Sequence, residues 1–160
     1  MKGSKAVIAA LNGLLTGELS AADQYFIHSR MYENWGFKVL YERLEHERQE
    51  ELDHARKLIC RILFLEGAPN VQARVALTIG ATVPEMLKSD LEYEYAVVKQ
   101  LKEAIALCEK EQDYDSRRIL IELLDDTEED HAHWLEQQLG LIDKVGLKNY
   151  QQSAIGSLSA

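Results

Sequence analysis

Proline and cysteine are scarce in this chain. Its 160 residues include only two of each. The prolines, Pro69 and Pro84, lie close together near the middle, so long helices can form on either side of them. Cys60 and Cys108 are isolated and form no CxxC pair. The sequence therefore signals neither a disulfide framework nor a zinc knuckle.

Positive charge and long apolar runs are also limited. The net charge of −9 argues against a nucleic-acid surface, which would carry a basic stripe, and suits a protein that attracts cations. No window approaches the roughly 20 apolar residues of a membrane span. The segment "AVIAALNGLL" superficially resembles a signal peptide, but Asn12 and Gly13 interrupt it and helical periodicity continues beyond. We therefore interpret it as the start of a helix and expect a cytoplasmic protein.

Helical periodicity dominates the rest of the sequence, with apolar residues spaced three and four apart. A connection of about sixteen residues, 67–82, separates two pairs of helical segments, and a connection this long is unusual inside a compact domain. The pattern predicts an all-α fold in one domain spanning residues 1–160: a four-helix bundle with a long crossover between helices 2 and 3 and a short C-terminal fifth helix. The predicted helices are approximately 4–35, 37–66, 84–111, 116–145 and 147–155.

Two similar motifs lie 77 residues apart, "ELDHA" at Glu51–Ala55 and "EEDHA" at Glu128–Ala132. On a helix, side chains at i and i+3 share a face, so Glu51 can act with His54, and Glu128 with His131. A single Glu-x-x-His is a weak signal, because most such pairs lie on a solvated surface. Two of them on different helices of one bundle are more informative.

The other two long helices each place one glutamate among apolar residues. Glu18 follows "LLTG" and Glu94 lies within "LEYEYAV". Counted from the turns with a rise of about 1.5 Å per residue, each lies level with the Glu-x-x-His of its hairpin partner. Four carboxylates in a bundle interior would neutralise or repel one another unless cations lay between them. Oxygen and imidazole ligands suit iron or manganese.

At these residues the chain resembles a bacterioferritin subunit of the ferritin-like superfamily. The resemblance covers nearly the whole chain and is carried by "LNGLLTGELSAADQYFIHSRMYENWG", "HERQEELDHARKLICRILFLEGAPN", "SDLEYE" and "EEDHAHWLEQQLGLIDKVGLKNY". It implies a hollow shell of 24 subunits that stores iron mineral, and ferroxidase activity in which Fe(II) is oxidised by oxygen or peroxide. It implies a di-iron centre with Glu51 and Glu128 as bridging ligands. The implied ligands, which are also the catalytic residues, are Glu18, Glu51, His54, Glu94, Glu128 and His131.

The resemblance is weaker at the haem site. In this family haem lies between two subunits and is held by a methionine directly after the first motif's glutamate. Leu52 occupies that position here and cannot ligate iron, which argues against haem binding by a homodimer. We interpret Met31 as a packing or interface residue. A mixed shell containing a second, methionine-bearing subunit remains an alternative to a homo-oligomer.

Several further residues are softer candidates. Tyr25 lies two helical turns beyond the first-helix glutamate and is a candidate electron donor, although a buried tyrosine with a satisfied hydroxyl explains it equally well. His46 and Glu50 form an i, i+4 pair in the region of the family's inner-surface iron site, or are exposed charges on a solvated helix. We assign His28 and His133 to the surface or to an interface.

Two other functions remain open. The same bundle can carry a di-iron or di-manganese redox enzyme of the oxygenase, peroxidase or catalase type, because fold and ligand set are shared. A metal-free structural bundle is the second alternative, but it would bury four acidic groups at a substantial energetic cost. We expect partners to be iron, oxygen or peroxide and other subunits, without nucleic acid or membrane.

Overall fold

A computed structural model describes residues 1–157 of the chain, and the secondary structure within this range is helical. Helix boundaries lie within two residues of the predicted ones, but a π-helical segment divides the fourth long helix. Within the described range, no helix is long and apolar enough to cross a membrane. The elements are α1 (Lys5–Trp35), α2 (Lys38–Phe64), α3 (Val83–Lys110), α4 (Tyr114–Asp125), the π segment (Asp126–Ala132), α5 (His133–Val145) and α6 (Leu147–Ala154).

Local signals explain where the long helices begin and end. Gly36 ends α1 with a φ of 81°, a left-handed conformation that glycine adopts without strain. At the start of α3, the Thr82 hydroxyl accepts the Glu85 N–H, and Pro84 stands in the first turn, where no N–H is needed. Asp113 caps α4 by accepting the Ser116 N–H at 3.0 Å.

The helices pack as two hairpins, which confirms the predicted four-helix bundle. α1 packs against α2, and α3 packs against the continuous run of α4, the π segment and α5. Contacts between α1 and α3 join the hairpins, and the short helix α6 packs against α5 and α2.

The crossover follows α1 and is attached to it by side chains. These side chains lie on one face of the helix, one or two turns apart, and each accepts a backbone N–H from the crossover. The pairs are Asn12 with Asn70, Ser20 with Val75, Gln24 with Thr78, and His28 with Gly80. The connection therefore runs along the bundle, as its length predicted.

The surface assignment of His28 is wrong. His28 is fully buried, its Nε2 accepts the Gly80 N–H, and its Nδ1 donates to Asp90 at 2.9 Å. A β-carbon at Gly80 would collide with the backbone of Met86, so only glycine lets the chain approach this closely. Sequence periodicity missed the burial because the covering element is a loop. His133, by contrast, is 59% exposed, as predicted.

The buried apolar core consists of two clusters separated along the bundle axis. One cluster draws on residues 7–15, 55–65, 97–108 and 120–123. The other draws on residues 21–32, 40–44, 83–87, 135 and 150–154. On each long helix, the predicted metal-binding positions fall between the parts that supply the two clusters. A layer of polar side chains therefore crosses the middle of an otherwise apolar interior.

Candidate metal centre

Five of the six side chains predicted as ligands meet in this polar layer, and each is at most 2% exposed. They form two groups of three potential ligands that share one carboxylate. The first group is Glu18, Glu51 and His54, and the second is Glu51, Glu94 and His131. Within each group the potential ligand atoms lie within 4.8 Å of one another. The arrangement is that of a dinuclear site with Glu51 at its centre.

The two oxygens of Glu51 face opposite halves of the site. Oε2 lies 3.5 Å from Nδ1 of His54, and Oε1 lies 3.0 Å from Nδ1 of His131. Glu18 adds a carboxylate oxygen 3.6 Å from the first imidazole, and Glu94 adds one 3.7 Å from the second. The imidazole rings are stacked with centroids 5.8 Å apart. Both rings therefore present Nδ1 to the carboxylates.

Burial and mutual repulsion disturb the protonation of this cluster. Burial, followed by the charge of Glu51, raises the pKa of Glu18 and of Glu94. Burial also opposes ionisation of Glu51, but its close contacts with Glu18, His131 and His54 outweigh burial and lower the pKa of Glu51. The metal-free centre therefore has one ionised carboxylate between two more easily protonated ones.

The histidines are correspondingly basic. Burial disfavours the imidazolium of His54, yet contacts with Glu18 and Glu51 raise its pKa to about 10. The pKa of His131 is raised in the same way, against burial, chiefly by Glu47 and Glu50. Protonated imidazoles supply the positive charge that compensates the buried carboxylates when no other cation does.

Glu128, the sixth predicted ligand, is not part of the cluster. Its carboxylate is 42% exposed and pairs with Lys102. The reason is the π segment, in which i→i+5 hydrogen bonds change the angular spacing, so residues three apart no longer share a face. Thr127, four residues before His131, is instead the buried residue on this side, with its hydroxyl bonded to the Leu123 carbonyl. The regular α-helix that the Glu128–His131 spacing assumed is therefore not observed here, and the ligand role of Glu128 stays a prediction.

Acidic side chains also contact the outer nitrogens of both imidazoles. Nε2 of His54 lies 3.2 Å from the half-exposed carboxylate of Asp126. Nε2 of His131 lies 3.0 Å from Glu50 and 2.8 Å from Glu47. A carboxylate on the outer nitrogen holds a proton there, so a metal that binds at Nδ1 has only the Nδ1 proton to displace.

Tyr25 lies beside the second half of the site. It is buried, and its hydroxyl donates a hydrogen bond to Oε1 of Glu94. Its ring meets the ring of His131 edge-on, with centroids 6.4 Å apart. Burial and the charge of Glu94 raise the pKa of Tyr25, so the phenol stays protonated near neutrality.

The two remaining candidates, His46 and Glu50, differ in how close they lie to the metal-binding layer. They form a 3.3 Å ion pair, but only Glu50 reaches the buried layer, while His46 is mostly exposed. The residues grouped with Glu50 and His131 are Glu47 and Asp130, which sequence reasoning missed. Glu47 lies one turn before Glu51 on the same helix face, a spacing that was available in the sequence.

The side chains fit a bound metal on several counts. Among the described residues, neither carboxylate oxygen of Glu18 has a hydrogen-bond partner, and neither does Nδ1 of His54 or His131. Buried polar atoms usually have partners, so these four orphaned atoms require an explanation. All four belong to residues of the two ligand groups. A pair of divalent cations bound there would satisfy them, with oxygen and nitrogen donors suited to iron or manganese.

Comparison with known proteins agrees with this geometry. A family model described as a ferritin-like domain matches residues 8–145. The bacterial ferritin of Synechocystis sp. is 61% identical over 153 residues, which cover 96% of this chain and 98% of the relative. The bacterial ferritin of Pseudomonas aeruginosa is 59% identical over 155 residues, covering 97% and 100%. The bacterioferritin of Mycobacterium avium is 41% identical over 155 residues, covering 97% of each chain. The chain belongs to the ferritin family.

Proposed function

We propose that the protein stores iron, binding Fe(II) at the buried centre, oxidising it and depositing ferric mineral inside a hollow shell of 24 subunits. The observation that carries this proposal is the pair of three-ligand groups sharing Glu51 in the polar layer. The orphaned oxygens of Glu18 support it, because they lie in an interior that offers no hydrogen bond to them. Family membership supports the storage role.

Each residue of the centre has a distinct part in holding the substrate iron. Glu18 and His54 would bind one ion, Glu94 and His131 the other, and Glu51 would bridge them, because its two oxygens face the two halves. Oxidation of the bound Fe(II) by oxygen or peroxide is the chemistry that the metal supplies. Asp126 on one side, and Glu47 with Glu50 on the other, keep the imidazole protons on Nε2.

Tyr25 is placed to supply an electron to the same reaction. Its hydroxyl proton already points at Oε1 of Glu94, so that carboxylate can accept the proton when the phenol is oxidised. The raised pKa of Tyr25 means that electron loss is coupled to this proton transfer, because the phenolate is disfavoured.

The proposal is tested by loading the purified protein with Fe(II) in air and separating the products by size. We expect iron to elute with a shell-sized species, in large excess over two ions per subunit. Iron held only as about two ions per small oligomer would instead indicate a redox enzyme on the same bundle. No retained iron would overturn both functions.

A variant carrying Glu18→Ala and Glu94→Ala tests the site assignment. One ligand is removed from each half, so rapid oxidation should be abolished while assembly is retained. Normal oxidation by this variant would refute the proposed site. A matched control is Glu103→Gln, a change at an exposed position of α3.

We also propose that the protein works in the cytoplasm. Cys60 and Cys108 are both free thiols, as is usual in a reducing compartment. Fractionation of cells that express the protein would test this, and recovery from an extracytoplasmic fraction would contradict it.

A further inference from the structure

A second acidic group lies directly beside the candidate centre. It consists of Glu47, Glu50 and Asp130 together with His131, and its potential ligand atoms lie within 4.8 Å of one another. His131 belongs to both groups: Nδ1 faces Glu51, and Nε2 faces Glu47 and Glu50. The composition of this group alone would suit another divalent cation.

A guanidinium group already occupies one side of this acidic group. Nε of Arg43 lies 2.5 Å from Oε1 of Glu47, and Nη2 lies 2.7 Å from Oδ1 of Asp130. The guanidinium carbon stands 5.1 Å from the centre of the Trp134 ring, a cation–π distance. Contacts on three sides therefore hold the positive charge of Arg43 between the two carboxylates.

Each oxygen of Glu47 lies against a positively charged or basic group, although neither contact has the angles of a hydrogen bond. It is 2% exposed, with one oxygen against Arg43 and the other 2.8 Å from Nε2 of His131. A metal ion coordinated by Glu47 and Asp130 would have to displace the guanidinium or share its space with it. Arginine keeps its charge under all ordinary conditions, so it cannot yield by deprotonation.

We propose that Arg43 fixes the number of ions that the bundle interior accepts, because its guanidinium takes the place of a third cation between Glu47 and Asp130. The layer then contains a dinuclear centre and, beside it, the buried carboxylate of Glu47 and the half-exposed carboxylate of Asp130, whose charges Arg43 compensates. This inference rests on the proposed function, since it concerns the neighbour of the proposed iron centre.

The test counts bound Co(II) by calorimetry and by visible absorption, using the assembled protein without iron. Arg43→Gln keeps some length and polarity but removes the charge, so it should bind one more ion per subunit than the unaltered chain. Arg43→Lys retains the charge and should bind the unaltered number. The double variant Arg43→Gln with Glu47→Gln should lose the extra ion again. Comparison between variants cancels binding to surface sites.

Several results would overturn the inference. One is an Arg43→Gln protein that assembles normally yet binds no additional Co(II). Another is an additional ion in Arg43→Lys. If Arg43→Gln does not fold, Asp130→Asn in the unaltered background decides the matter, because Asp130 is the other carboxylate that contacts Arg43. Unchanged Co(II) binding is expected, and loss of one ion would show that Asp130 is a ligand in the native protein.

Failure of the proposed function would look different. In that case the double variant Glu18→Ala with Glu94→Ala would bind as much Co(II) as the unaltered chain. The comparison of the Arg43 variants would not be needed to reach that conclusion.

Discussion

Replacing either of two neighbouring buried glutamates by glutamine should change the stability of the metal-free protein in opposite directions. Glu18 is buried, has no hydrogen-bond partner for either oxygen among the described residues, and has a raised pKa. Glutamine has nearly the same shape as the protonated acid and carries no charge. Glu51 differs, because its pKa is lowered and its oxygens face both imidazoles. Its charge is needed when metal is absent.

The magnitudes follow from these contacts. Each unit by which the pKa of Glu18 is raised penalises the ionised carboxyl by about 1.4 kcal/mol, and Glu18→Gln removes this penalty, so the variant should have the higher free energy of unfolding. Glu51→Gln leaves two basic imidazoles without their shared partner, and breaking a buried ion pair costs about 3–5 kcal/mol. In a chain of this size, each kcal/mol shifts Tm by about 2–4 °C.

The effect of Glu18→Gln should also depend on pH. A raised folded-state pKa means that Glu18 costs nothing at low pH, where the carboxyl is protonated in both states. As pH rises from the pKa of Glu18 in the unfolded state to its higher pKa in the folded state, the free energy of unfolding decreases. The stabilisation by Glu18→Gln should therefore be absent in acid and present at higher pH.

Calorimetry of metal-free proteins at equal concentration and scan rate measures these shifts, with exposed Glu103→Gln as the control expected to stay within about 0.5 kcal/mol. Adding Co(II) should then give the unaltered chain a higher Tm than Glu18→Gln, because a site filled at about 1,000 times its Kd contributes roughly 4 kcal/mol. Glu18→Gln should lose much of that metal-induced gain. If both variants moved Tm the same way without metal, our account of the charges would be refuted.

Three further outcomes are expected. Tyr25→Phe should retain Co(II) binding but slow Fe(II) oxidation in stopped-flow absorbance, and an unchanged rate would remove Tyr25 as an electron donor. Asp113→Asn should destabilise the bundle by about 1 kcal/mol, because asparagine can still cap α4 but has no charge to pair with Arg61. Its partners Ser116 and Arg61 lower the pKa of Asp113 despite burial. The stabilisation by Asp113 is therefore present above the ordinary carboxyl pKa and disappears as pH falls through the lowered pKa of the folded state. Equal Tm differences between variant and unaltered chain in acid and at neutrality would contradict this account. Leu52→Met should permit a Soret band after haem reconstitution that the unaltered chain lacks, and absence of the band would show that more than this position is missing.

The fold was predictable because its signals are local. Gly36 and the breakers near Pro69 and Pro84 mark where helices end, and apolar residues at three- and four-residue spacing mark the faces that pack. Glu18 and Glu94 were recognisable as site residues because a charge in an apolar run is costly unless the structure uses it. These inferences needed only helical geometry and the length of each hairpin.

The interactions that escaped prediction depend on three-dimensional context. His28 is buried by a crossover loop whose path no periodicity describes. The sequence predicts at most the i, i+4 pair of Arg43 with Glu47 within α2, because the contact of Arg43 with Asp130 joins α2 to the π segment across 87 positions of the chain. Long-range pairs of this kind leave no pattern in a single sequence.

The π segment explains both the outward position of Glu128 and the contacts of the outer acidic group. A regular α-helix would place Glu128 and His131 on one face. In the π segment His131 still points inward, Thr127 takes the buried position, and Asp130 is brought to Arg43. One change in helical geometry thus turns the carboxylate of Glu128 towards Lys102 and brings the carboxylate of Asp130 to Arg43. π-helical turns occur frequently at functional sites, where they reorient single side chains without breaking the helix. The imidazole of His131, shared by both groups, is therefore the point through which a change at Arg43 or Glu47 should reach the metal centre.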